Sequence, residues 1–110
     1  MLFCLTANYT PQALKAMRAN PNTNRHEAVQ QLLEAAGAKL ISMYGTIADG
    51  PGALVIFDAD PVAAGALTGV AASSDGVQNV KIMRLLSQDD VVAIRQKAKQ
   101  IEGSYRPPGK

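Results

Sequence analysis

A chain of 110 residues holds one domain with a single core and is too short for two. Hydrophobic residues make up 47% and charged residues 18%, a balance that suits a folded globular chain and argues against wholesale disorder. A formal net charge of +2 is too small to point to nucleic acid, and one cysteine excludes an intrachain disulfide or a thiolate cluster for zinc or iron–sulfur.

No apolar run reaches the ~18–20 residues that a bilayer span needs. The opening MLFCLTANYTPQ lacks the basic n-region of a signal peptide. The expectation is a cytoplasmic protein with no membrane and no nucleic-acid partner. Basic residues gather toward the end (Arg95, Lys97, Lys99, Arg106 and Lys110, against Glu102 alone). With no aromatic pattern beside them, they read as a solvated helix face and a tail.

Residues 2–8 alternate, with Phe3, Leu5 and Ala7 on one side and Cys4, Thr6 and Asn8 on the other, which predicts a strand. Thr10 and Pro11 then supply an N-cap and a first-turn proline, and Pro21 forces the helix to stop by Asn20. A second helix starts at Asn24, with Glu27 three residues on, and carries the stripe Val29, Leu32, Leu33 and Ala36 before Gly37 ends it. Two strands follow, AKLISMYGTI and the wholly apolar ALVIFD.

The stretch DPVAAGALTGVAASSDG predicts a helix of low intrinsic propensity, its Gly65 and Gly69 expected to lie close against the sheet. VQNVKIMRLLS is the last strand. Ser87 and Asp90 cap a final helix with the stripe Val91, Ile94, Ala98 and Ile101. The domain is thus expected over residues 1–103, with a mobile tail at 104–110.

With the first two helices counted as one connection, the order is β-α-β-β-α-β. This predicts an α+β, ferredoxin-like fold: a four-stranded antiparallel sheet with helices on one face and an extra C-terminal helix. The cluster Asp49-Gly50-Pro51-Gly52 invites a phosphate-loop reading. That chemistry needs a helix directly after the glycines, so that free N–H groups meet the anion, whereas here ALVIF follows. The cluster reads as a hairpin turn.

Segments YTPQALKAM, NRHEAVQQLLEAAGAKLISMYGTIADGPGALVIFDA and GVQNVKIMRLLSQDD together resemble the GYD-domain family of small bacterial proteins. The matching positions are Tyr9, Thr10, Arg25, Lys39, Leu40, Tyr44, Thr46 and Ser87, and the likeness covers residues 2 to about 100. The Gly-x-Tyr-Asp turn that names the family is replaced here by ADGPG, so no role of that Tyr and Asp is carried over. The resemblance implies a ferredoxin-like fold that assembles as a dimer or higher oligomer of the dimeric α/β-barrel type. It implies no assigned biochemical role.

Alternation sorts the strand residues into two faces. Phe3, Leu5, Ala7, Ile41, Met43, Ile47, Met83 and Leu85 are expected under the helices. Cys4, Thr6, Asn8, Ser42, Tyr44, Thr46 and Arg84, with Leu2, Leu40 and Ile82, are expected on the open face. A half-apolar face of this kind closes against a second copy of the chain, with or without a small-molecule cleft between the sheets. Thr6, Asn8, Tyr44 and Arg84 are its candidate ligand contacts, since phenol, hydroxyl, amide and guanidinium supply the polar handles.

A cofactor-free enzyme of the dimeric α/β-barrel type and a purely structural or regulatory module are the competing readings. No cofactor is implied and no metal: one histidine, one cysteine and no tight acidic cluster do not make a site. His26 reads as a surface residue, Cys4 as a small buried hydrophobe, and Asp58 and Asp60 as residues serving the following helix start.

Overall fold

The computed structural model describes residues 1–109; Lys110, the end of the expected tail, lies outside the described residues. Local chemistry sets the elements. Strand β1 (Leu2–Tyr9) leads into helix α1 (Pro11–Ala19), where the Thr10 hydroxyl accepts a hydrogen bond from the Ala13 amide at 3.2 Å.

Helix α2 (Arg25–Ala35) begins where the Asn24 side chain accepts from the Glu27 amide at 2.9 Å, and it ends at Gly37, whose φ of 75° lies in the left-handed region. Strands β2 (Lys39–Thr46) and β3 (Gly52–Asp58) form a hairpin. Asp60 caps helix α3 (Pro61–Ala72) through the Ala63 amide at 2.8 Å. After strand β4 (Val77–Leu85), a reciprocal Ser87–Asp90 box opens helix α4 (Gln88–Ile101), and a 3₁₀ turn follows at Glu102–Ser104.

The sheet order is β2-β3-β1-β4, with every neighbouring pair antiparallel. Strand β3 is thus inserted between β1 and β2, which is the split βαβ arrangement of a ferredoxin-like fold. The core lies between one sheet face and helices α2 and α3. Leu33 from α2 and Ala63, Ala64 and Leu67 from α3 bury Val55 and Phe57 of the central strand, with Phe3, Leu5 and Met43 packed around them. Phe3 and Phe57 stack with ring centroids 5.8 Å apart.

Two irregularities change the faces expected from alternation. In β2, Leu40 pairs with Phe57 and Ser42 with Ile56, so Ile41 is an extra residue opposite neither. The bulge returns Leu40 to the core and leaves Ile41 51% exposed, the reverse of the expected placing. In β4, the register slips beside Ala7, where Asn79 adopts a left-handed φ of 55°.

Beyond that slip, Leu5 faces Ile82 and Phe3 faces Arg84, while Cys4 faces Met83 and Leu2 faces Leu85. Residues opposed across a pair share a face. Ile82 and Arg84 therefore lie on the helix side of the sheet, and Met83 and Leu85 on the open side, both contrary to expectation. Ile47 lies past the end of β2 and is exposed rather than buried.

Gly65 and Gly69 also differ from expectation: a Cβ built at either meets nothing within 4 Å, so they do not lie against the sheet. Ala63, Ala64 and Leu67 make that contact instead. Gly52 is the glycine that sterics demand, since a Cβ there would run into the Ala7 carbonyl oxygen and the Thr46 hydroxyl. Helix α4 has no buried residue, and the molecule measures 60 × 32 × 21 Å.

Candidate functional site

The open face of the sheet is built from alternate residues of all four strands. Register places Leu2, Cys4, Thr6 and Asn8 of β1 beside Leu54 and Ile56 of β3, Ser42, Tyr44 and Thr46 of β2, and Lys81 and Met83 of β4. No helix covers the middle of this face: Leu2, Tyr44 and Met83 are 42%, 60% and 56% exposed. Cys4 is nonetheless buried, held between its register partners Ile56 and Met83.

At the hairpin end the face dips into a cleft of about 560 Å³, lined by Thr6, Asn8, Thr46, Asp49, Asn79 and Lys81 among others. Thr6 and Asn8 thus meet as expected. Tyr44 stands on the same face, opposite Leu54, outside the cleft lining. Arg84 does not join them: it lies on the other side of the sheet, along a groove with Leu86, Asp90 and Ile94 where α4 begins.

Asn8 also has a structural task. Its side-chain amide donates to the Ala48 carbonyl at 2.9 Å and to the Gly50 carbonyl at 3.3 Å, while its oxygen accepts from the Asn79 side chain at 3.4 Å. It ties the hairpin turn to the bulge of β4. The turn itself carries left-handed φ values at Asp49 (56°) and Gly50 (100°), the geometry of a tight connection rather than a phosphate cradle.

A family model described as the GYD domain matches residues 3–94. The chain belongs to the GYD-domain family. A search of curated proteins found no match.

The residues that carried the GYD resemblance divide by task. Thr10 and Ser87 are helix caps, and Lys39 and Leu40 begin β2. Tyr9 and Arg25 do something else: both line an interlayer cavity between the sheet and the helices, which has a volume of about 230 Å³. Its walls are apolar, formed by Leu5, Val55 and Phe57 from the sheet and Leu33, Leu67 and Val70 from α2 and α3. A second hollow of about 330 Å³ beside α1 shares Tyr9, Arg25, Ser74 and Val77 with it.

Sorting strand residues by alternation did not reveal this cavity, because it lies between layers. The available signal was Arg25 itself, a cation at the first position of a helix, where the dipole disfavours positive charge.

Among the described residues no group of three or more His, Cys, Asp or Glu converges as metal ligands. His26 follows Arg25 in the first turn of α2 and is exposed. Asp60 serves a helix start as expected, whereas Asp58 hydrogen-bonds the Met1 ammonium at 2.8 Å. That contact and the ammonium's charge hold the Asp58 carboxyl below its ordinary value. Among the described residues no helix is long and apolar enough to cross a membrane.

Proposed function

We propose that this GYD protein is a self-associating, small-molecule-binding protein: two copies close their open sheet faces together, and the cleft beside Thr6 and Lys81 receives a small polar ligand at the seam. The observation that carries the reading is the uncovered apolar sheet face, with Leu2, Tyr44 and Met83 between two-fifths and three-fifths exposed beside Ile56 and Leu54. An apolar face with polar residues at one end suits an interface better than water. Helix α4 adds support. Its Val92, Ile94 and Ile101 are exposed and none of its residues is buried in its own subunit.

Within the cleft, Thr6 offers a hydroxyl and Lys81 a cation, while the donors of Asn8 already serve the turn. The ligand contacts expected from Thr6 and Tyr44 belong to this surface; Arg84, on the far side of the sheet, is not among its contacts.

Light scattering after size exclusion tests the association. The expected result is a dimer or larger species at micromolar concentration that the double variant Tyr44→Lys/Met83→Lys converts to monomer with its circular dichroism unchanged. A monomeric wild type, or a variant that keeps the wild-type mass, would overturn the reading.

A further inference from the structure

We infer that the interlayer cavity beneath α2 and α3 is a second binding site, one that takes a small amphipathic monocarboxylate with its apolar body inside and its carboxylate at Arg25. It lies on the opposite side of the sheet from the open face and does not depend on self-association.

The cavity is shaped and charged for such a ligand. Leu5, Val55 and Phe57 form an apolar floor, and Leu33 and Leu67 form the walls. A void of ~150 Å³ lined by such residues admits benzene, so 230 Å³ accommodates a body of roughly eight to ten carbon atoms.

Polar groups gather where this chamber meets the hollow beside α1, at Tyr9, Arg25 and Ser74. Among the described residues, Arg25 is the sole charged residue lining either space, and no carboxylate lines them. Among the described residues the ion pair formed is that of the Met1 ammonium with Asp58, so Arg25 has no internal counter-ion. The Ser74 hydroxyl donates to the Ala71 carbonyl at 2.9 Å, so its proton is already used, and Tyr9 is the other hydroxyl donor that lines both spaces with Arg25.

The charge argument decides the class. Arg25 is exposed at the mouth, and a cation at the first position of α2 adds to the positive end of the helix dipole, which favours an anion there. A guanidinium forks onto a carboxylate through two parallel hydrogen bonds, while a neutral alcohol accepts fewer and weaker ones. A cationic amphiphile would meet like charge at the mouth.

Calorimetric titration of the full chain with octanoate, 1-octanol and octylammonium tests the assignment. Octanoate is expected to bind one per chain, at least roughly tenfold tighter than 1-octanol, with octylammonium weakest. Arg25→Gln should bring octanoate down to the affinity of 1-octanol and leave 1-octanol unchanged. Val70→Trp, at a position 55% exposed on the cavity rim, should abolish binding of both without unfolding the chain. Equal affinity for octanoate and octanol, an Arg25→Gln variant that keeps the preference, octanoate binding that survives Val70→Trp, or no binding at all would each overturn it.

Discussion

Helix α3 offers a substitution whose sign follows from space alone. Gly65 and Gly69 sit in its interior, and a Cβ added at either has no heavy atom within 4 Å. Neither carries a left-handed φ, so alanine fits the backbone without strain. Each Gly→Ala replacement then contributes about 0.8–1.0 kcal/mol by restricting the unfolded chain and extending helical propensity.

Although the two sites lie one turn apart, neither new Cβ meets a partner the other could share, so the effects should add to about 2 kcal/mol for the pair. In urea, with a slope of about 1.5 kcal/mol/M, the midpoint should rise by about 1.3 M with the slope unchanged, and Tm by roughly 8 °C. Equilibrium unfolding followed by circular dichroism reads both. A double variant no more stable than wild type would show that something fills the space beside these glycines, and the account of α3 as open there would fail.

The same exchange at Gly52 should have the opposite sign. Its Cβ would strike the Ala7 carbonyl oxygen, a backbone atom in the neighbouring strand, so Gly52→Ala should cost about 2–3 kcal/mol in the same assay; a cost below about 0.5 kcal/mol would contradict that close approach. Asp58 gives a pH dependence. Its carboxyl is held low by the Met1 ammonium, so its stabilising contribution is present above the ordinary carboxylate pKa and is lost as pH falls through the lowered value. The Tm gap between wild type and Asp58→Asn should therefore be small, as for any exposed pair, and should close on acidification below about pH 4; a gap that widens toward acid would reverse the assignment.

The elements were legible because their signals are local. Thr10, Asn24 and Ser87 each reach a backbone amide three residues on, and Gly37 ends α2 within its own turn. The hairpin at Asp49–Gly52 was equally plain from the strand that follows it. Thr6 and Asn8 share a sheet face because β1 alternates without interruption against β3.

Arg84 was not legible. MRLL carries apolar side chains at both parities, so nothing within β4 says which face is which. Tyr9 and Arg25 stood out through resemblance, but their shared cavity exists because α2 and β1 face each other across a layer.

Caps, stops and turns could thus be read off residues a few positions apart, and with them the order of elements and the sheet it implies. Which side of the sheet each side chain occupies was settled only by pairing between distant strands. The extra Ile41 is defined against β3, and the left-handed Asn79 against Ala7, some seventy residues earlier. Side chains alternate with a period of two, so one residue inserted at either place turns the rest of the strand over, carrying Leu40 into the core and Arg84 away from the face that alternation assigned it.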